Sequence, residues 1–393
     1  MEQKGFLVLS DISGYSSYLN QSELEHAHET LTDLLNLLIE RTDSPLQIFK
    51  LEGDAVFSYA PSGAFHQGQT LLEVIENSYL AFRKALQLMT LNTTCPCNAC
   101  GYIPNLDLKF FVHYGTYTVQ EMGQYRELLG SDVNLVHRIT KNRIGEKLGK
   151  KAYAAFTQAV IDELQMHDLA GEMEALTDSY PDAGELTLFV HDMHSVWEAR
   201  KDEVSLAVDP ADALYVGEDV FPIPPPLLWE YITKPEYRTI FFNSDSQTLK
   251  KGEDGRIGKD SVYVCAHGKE QLLHTILDWQ PFEQYTMRQW DPSVKLSQFI
   301  TLRLHPEGQG TRLQFLLGKF ENKGLKAWLF DKLMPMMIKR NEKNTWEPIR
   351  KKILEDLEAG SAAVAPRIKL GEGLAAEGAS QSLGTLPKAP EGN

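Results

Sequence analysis

Short strand-like runs that close on Asp11 and on the Gly53-Asp54 turn bracket an amphipathic helix, and this pattern ties the N-terminal half to a layered α+β design. Phe6 to Ser10 is apolar and closed by Asp11 in SDISGY. Leu46 to Lys50 and Ala55 to Tyr59 read as two strands joined by a tight turn containing Gly53. Between these runs Leu31, Leu34, Leu35, Leu37 and Leu38 recur at helical spacing, with Ser22 and Glu25 as the expected capping box. Leu71 to Met89 reads as a second amphipathic helix. Leu106 to His113 and Gln124 to Leu129 read as strands, Val133 to Ile144 as a helix, and Glu185 to Val190 as a closing strand. Strands and helices mix without strict alternation, which predicts helices layered on a mostly antiparallel sheet.

A chain of 393 residues suits two or three domains. Its net charge of −15 argues against non-specific binding to nucleic acid, because phosphate backbones need clustered Lys and Arg. The N-terminal apolar run is too short for a signal peptide and no stretch approaches a membrane span, so a cytoplasmic protein is expected. Residues 1–200 form one expected domain and 201–219 a linker around Pro210. The stiff FPIPPPLLW run opens a second domain at 220–358, with five strand-like stretches between Asp260 and Leu317. A long helical stretch, about Leu325 to Leu357, closes it, with an apolar face of Trp328, Leu329, Leu333, Met336, Met337, Trp346, Ile349 and Ile353, and Pro335 and Pro348 are expected to kink or interrupt it. Residues 359–393, rich in Ala, Gly, Ser and Pro, read as a disordered tail.

Two acids stand at special places. If the strands ending at Asp11 and beginning after Asp54 lie side by side, their carboxylates converge at one edge of the sheet. Two carboxylates with little other ligation suit Mg²⁺ carried by a nucleotide, since phosphate and water complete the octahedron. Ser13 and Gly14 offer backbone N–H groups for phosphates beside that point. Taken alone, an acid after a strand is more often a turn or cap residue.

Four segments resemble the class III adenylate and guanylate cyclases. Phe6-Leu7-Val8-Leu9 followed by Asp11-Ile12-Ser13-Gly14-Tyr15-Ser16 is similar to the first metal-binding segment, and Lys50-Leu51-Glu52-Gly53-Asp54 to the second. Phe110 to Gly115 is similar to the next strand, and Gly130 to Arg138 to the family's transition-state helix. Leu9 stands where the family often has Phe. The resemblance covers about Lys4 to Val190 and implies a ferredoxin-like cyclase fold. It implies that Asp11, Asp54 and the Ile12 backbone bind two Mg²⁺ or Mn²⁺ ions. Lys50 would contact the purine, Asn134 the ribose, and Arg138 the charge at phosphorus. Glu127 replaces the Asp that reads the adenine amino group seven residues before the helix Asn. Lys50 donates to adenine N1 and suits protonated guanine N1 poorly, so ATP is the expected substrate. The family builds each site from two chains, which implies a homodimer.

Cys95, Cys97 and Cys100 lie within six residues. They read either as a reduced surface loop or as three ligands of a structural Zn²⁺ whose fourth ligand comes from elsewhere. Similar cysteine-bearing insertions occur in a bacterial cyclase-like family that the chain resembles. His26 and His28 read as solvated, His113 and His137 as packing residues. Val220 to Glu358 resembles the START-related helix-grip fold of polyketide cyclase-like and lipid-transfer proteins (SRPBCC), an α+β design. That resemblance implies an apolar small molecule or lipid held in a cavity. Trp279, Trp290, Phe299, Phe315, Met334 and Met337 either line it or fill the core. Two functional readings follow: an adenylate cyclase with a ligand-binding regulatory domain, or a nucleotide-sensing dimer without turnover.

Overall fold

The computed structural model describes residues 2–92, 95, 97–122, 125–180, 183–252, 255–321, 324–341 and 346–360, of which 92, 122, 125, 126 and 337–341 by their backbone alone. The expected tail lies outside the described residues from 361 onward, as does the Met337 side chain.

The N-terminal half is built on an eight-stranded sheet. β1 (Glu2–Ser13) leads through α1 (Tyr15–Gln21) and α2 (Leu24–Thr42) to the hairpin β2 (Gln47–Glu52) and β3 (Ala55–Pro61). The long helix α3 (Gly68–Asn92) and short α4 (Asn98–Tyr102) lead to β4 (Asp107–Met122). β5 (Tyr125–Leu129), α5 (Ser131–Ile139) and α6 (Ile144–Leu148) cross to β6 (Tyr153–Thr157), which pairs parallel with β4. α7 (Gln158–Glu163), α8 (His167–Ala170), β7 (Glu174–Tyr180), β8 (Gly184–Asp192) and α9 (Met193–Arg200) complete the unit. The sheet order is β2-β3-β1-β4-β6-β8-β7, with β5 on β4. The first four strands therefore follow the β-α-β-β-α-β connectivity of ferredoxin-like folds.

β1 reads as one unbroken apolar run because both its faces are covered. Phe6, Val8 and Ile12 pack under α2 and α3 with Leu31, Leu34, Leu38, Leu71 and Ile75. Leu7 and Leu9 pack on the opposite face with Phe57, Phe111, Val133 and Val136. Each fully buried side chain of this size stabilises the fold by roughly 1.5–3 kcal/mol.

The helical start expected at Ser22 is corrected. The chain enters α1 directly after Gly14, Ser22 is the extended residue that ends it, and α2 begins at Leu24. No side chain caps α2. The Glu23 carboxylate instead accepts the Ala99 N–H at 3.0 Å, a tertiary contact that local spacing cannot report.

The second sheet is antiparallel, in the order β10-β11-β12-β13-β14-β15-β9. Its strands are β9 (Tyr215–Phe221), β10 (Ser246–Lys250), β11 (Val262–His267), β12 (Glu270–Gln280), β13 (Gln284–Asp291), β14 (Leu296–Glu307) and β15 (Gly310–Phe320). β9 starts inside the segment read as a linker. α10 (Pro225–Thr233) and α11 (Pro235–Phe241) follow β9, and α12 (Leu325–Asn341) and α13 (Glu347–Glu358) close the chain. The long C-terminal helical stretch is thus two helices. Pro335 is accommodated within α12, whereas Pro348 sits in the first turn of α13, where its missing N–H costs nothing. α12 does not bury the apolar face expected of it: Trp328 is 52% and Met336 70% exposed.

Within this sheet the aromatic candidates divide. Trp279 packs edge-on against Trp229, with ring centroids 4.8 Å apart, and Phe315 packs on the same core. Phe299 alternates with the buried Ile300 and Leu302 of β14, so period two turns it to the other face. The core also holds Arg238, fully buried, with the rings of Phe242 and Tyr263 each 4.2 Å from its guanidinium. Arg238 donates to the Tyr285 hydroxyl at 2.8 Å and to His274 Nδ1 at 2.9 Å. Burial and the Arg238 charge push the pKa of His274 well down, consistent with a neutral acceptor.

The two sheets meet along α3. Glu73 and Glu76, both 2% exposed, face the second sheet. Arg256 grips Glu76 with two bonds of 2.8 Å, and His191 Nε2 lies 2.9 Å from the same carboxylate. The Trp279 indole N–H donates to Glu73 at 2.8 Å. Glu230 of α10 accepts the His66 and Gln67 N–H groups at 3.1 Å, just ahead of α3. A carboxylate there complements the positive end of the helix dipole.

Candidate active site

β1 carries Asp11 on the face that lies under α5, because strand alternation groups it with Leu7 and Leu9. Its cross-strand neighbours are Ala55 on β3 and Lys109 on β4. Asp54 stands in the two-residue turn between β2 and β3. Gly53 takes φ +69° there, a conformation that costs glycine nothing. The Ile12 N–H donates to the Asp54 carbonyl at 3.1 Å, so backbone bonding holds the two acids side by side.

Both carboxyls have raised pKa values. Burial is the main cause for Asp11, the charge of Asp54 adds to it, and Lys109 pulls back. Burial is the main cause for Asp54. Two half-buried carboxylates with Lys109 beside one of them remain electron-rich, and an octahedral divalent ion with phosphate and water in its shell fits that donor set.

Lys50 and Glu127, assigned to the base, also meet: Nζ lies 3.9 Å from Oε2, with each side chain about two-fifths exposed and open to a ligand. Glu52 joins them, although sequence reasoning did not single it out. Its carboxylate is 2.8 Å from Lys50 and 3.3 Å from Nδ1 of His137 on α5. The signal was available, since residues two apart on a strand share a face. His137, read as a packing residue, does pack on Phe57 at 5.2 Å between centroids, and it also closes this polar chain.

α5 is tied down at its start. Asp132 accepts the Thr116 N–H at 2.6 Å and its hydroxyl at 2.9 Å, and lies 3.5 Å from His113 Nε2. Burial pushes the Asp132 carboxyl up, but Thr116 and His113 outweigh it and hold the pKa below the usual range. Val133, Val136 and Ile139 press α5 onto the sheet. Asn134 is exposed on the outward side, with Arg138 one turn on and half-buried. The Asn134 side chain makes no hydrogen bond among the described residues. Within one chain, then, Asp11 meets Asp54 and Lys50 meets Glu127, while Asn134 is turned to solvent.

Cys95, Cys97 and Cys100 are half-buried and form no disulfide among the described residues. His26, read as solvated, is corrected: its Nδ1 lies 3.2 Å from Cys97 Sγ and 3.7 Å from Cys95 Sγ. The Cys97 thiol is pushed down to about 7, chiefly by the Cys100 N–H and then by His26.

Residues 31–147 match a protein family of unknown function (DUF2652). A curated relative, the uncharacterized protein Rv2561/Rv2562 of Mycobacterium tuberculosis, is 32% identical over 114 residues, 29% of this chain. The chain spans about half, 52%, of that relative's length. Among solved structures, the adenylyl cyclase CyaB from P. aeruginosa is similar over 49% of this chain and 95% of its own, at 16% identity and a TM-score of 0.37. The guanylyl cyclase Cya2 is similar over 49% of this chain and 92% of its own, at 15% identity and a TM-score of 0.38. No helix among the described residues is long and apolar enough to cross a membrane.

Proposed function

We propose that residues 1–200 form a nucleotidyl cyclase domain that converts ATP to cyclic AMP and pyrophosphate at the interface of a homodimer. The observation that carries this reading is that the fold brings together an Asp11–Asp54 carboxylate pair and a Lys50–Glu127 donor–acceptor pair. In the reaction the ribose 3′ oxygen attacks the α-phosphorus. A new P–O bond forms, the bond to the β-phosphate oxygen breaks, the hydroxyl proton is lost and pyrophosphate departs. Divalent ions held by Asp11, Asp54 and the Ile12 carbonyl would activate that oxygen and neutralise the departing charge. The Ser13 and Gly14 N–H groups donate to phosphate oxygens. Asn134 orients the ribose and Arg138 offsets charge at phosphorus, both from the partner chain, which suits the outward aspect of Asn134. The segment around Pro210 links this domain to a START-like helix-grip unit whose first strand, β9, begins at Tyr215. The α3 interface offers that unit, and any apolar ligand it holds, a route to regulate turnover.

The direct test is formation of cyclic nucleotide and pyrophosphate from ATP and Mn²⁺ by the full chain. Mixing Asp54→Ala with Arg138→Ala protein is expected to restore activity, because one of the two hybrid sites is whole. Absence of rescue, with subunit exchange demonstrated, removes the shared site.

Base choice gives a second test. Lys50 donates and Glu127 accepts, matching adenine N1 and its amino group. A mispaired buried polar group costs roughly 1–3 kcal/mol, so ATP is expected to exceed GTP by about tenfold in kcat/KM. Glu127→Ala should erode that preference more than it weakens binding. Glu52, nearer to Lys50, is a second acceptor on the same face, and two acceptors beside one donor suit guanine. GTP preference abolished by Glu52→Ala would transfer the base-reading role to Glu52. Tight ATP binding with no product in any metal would favour the nucleotide-sensing reading, in which Lys50 stays engaged by Glu52.

A further inference from the structure

The three cysteines of the connection between α3 and β4 are joined by a residue from a distant part of the chain. His26 lies on the first turn of α2, some seventy residues earlier, and its Nδ1 reaches the thiols. The four donor atoms of His26, Cys95, Cys97 and Cys100 all lie within 4.8 Å of one another. A tetrahedral zinc ion with Zn–S near 2.3 Å and Zn–N near 2.0 Å sets its ligand atoms roughly 3.5–3.8 Å apart. Of the two His26–sulfur distances, 3.7 Å falls within that spacing and 3.2 Å lies a little inside it.

Two further contacts support the cluster from outside. The Cys100 N–H points at Cys97 Sγ at 3.4 Å, the kind of backbone donor that steadies a metal-bound thiolate. Glu23, at the head of α2, accepts the Ala99 N–H at 3.0 Å and so fixes the cysteine loop to the helix that supplies the histidine. The donor set of three thiolates and one imidazole is borderline-soft, which selects zinc over magnesium or calcium. With four protein ligands the site is closed, and a closed site is structural.

We propose that His26, Cys95, Cys97 and Cys100 bind one structural Zn²⁺ that pins α2 to the connection between α3 and β4. The pin bears on the segment that follows Asp11. Gly14, with φ +89°, turns the chain from β1 into α1, and a Cβ at that position would come within 3.0 Å of the Asn105 carbonyl, in the same connection. Tyr18 of α1 is buried beneath this loop. Zinc therefore holds the wall against which the Asp11–Gly14 segment is folded. The assignment rests on side-chain geometry alone and is independent of the catalytic reading.

The full-length chain, purified under reducing conditions without chelator, is expected to carry about one zinc per chain by elemental mass spectrometry. Cobalt exchanged into it should give the visible absorption of a tetrahedral ion together with a thiolate charge-transfer band. His26→Ala should lower zinc content or raise its release to a chromogenic chelator at least about tenfold, the range seen when a ligand or its support is lost. His26→Cys should restore retention as a four-thiolate site. Where a cysteine variant fails to fold, mercurial titration of the wild type should release one zinc as its thiols are modified, with a fall in Tm. Wild-type protein with neither zinc nor a tetrahedral cobalt spectrum would overturn the proposal. So would undiminished retention in both His26→Ala and Cys97→Ser.

Discussion

Asp54→Ala is expected to lower Mn²⁺-dependent conversion of ATP to cyclic product by about 10³-fold or more, the scale on which preorganised charge stabilisation operates. Asp11→Asn should do the same while keeping shape. The two acids also make a prediction that needs no turnover. Burial raises the pKa of both, and for Asp11 the neighbouring Asp54 raises it further. An acid whose folded-state pKa lies above its unfolded value favours the fold in its protonated form. That contribution is complete below the unfolded value and is lost as pH rises through the folded value. Above the folded-state values of both acids, the ionised pair is a cost to the metal-free protein. Asp11→Asn should therefore raise the Tm of the metal-free chain at neutral pH and leave it nearly unchanged in acid. Mn²⁺ should raise the Tm of the wild type and not that of Asp11→Asn or Asp54→Ala, because binding to the folded state alone shifts unfolding. Full activity in both variants, or an unaltered Mn²⁺ response, would remove the metal assignment.

Arg256→Ala is expected to destabilise the contact between the two sheets by about 3–5 kcal/mol, the usual cost of stranding a buried charge. Burial pushes the Glu76 carboxyl up, but the Arg256 guanidinium and His191 outweigh it and hold the pKa far below the usual carboxylate range. Such a depressed acid stabilises the fold above its unfolded value and loses that contribution only as pH falls toward the folded one. The Glu76–Arg256 contact thus persists across neutral pH. Glu73, three residues earlier, behaves oppositely: burial dominates and raises it to about 7. Glu73→Gln keeps an acceptor for Trp279 and should stabilise the chain at pH 8 with little change at pH 6. Urea unfolding with separate probes for the two halves provides the measurement. A two-step transition in Arg256→Ala, against a more cooperative one in the wild type, is the expected outcome. An unaltered profile would show that Arg256 does not bind the sheets together.

These two contacts also mark how much was legible in advance. Asp11 and Asp54 are visible in sequence because a strand end and a glycine turn are local properties, decided within a few residues, whereas Lys50 was singled out only by the resemblance to the cyclases. β1 could be read as buried because a strand covered on both sides shows no polar period, and the Leu31 to Leu38 stripe because a helix with one covered face does. The same local rules failed wherever a distant group competed. Ser22 and Glu25 satisfy a capping pattern, yet Glu23 is taken by Ala99 and the helix begins elsewhere. The apolar stripe of α12 satisfies an amphipathic pattern, yet periodicity cannot say which surface, if any, will cover it. His26 carries no signal of its own, because the three thiols it meets lie some seventy residues away. Glu76 and Arg256 each look like ordinary surface charges in sequence, and only the docking of one sheet on α3 removes them from water together. What the sequence by itself determined was therefore the placing of side chains on faces, since backbone period requires nothing but neighbours. Which faces meet, and so which charges, thiols and rings become partners, was decided by long-range packing, whose free energy comes from surfaces far apart in the chain.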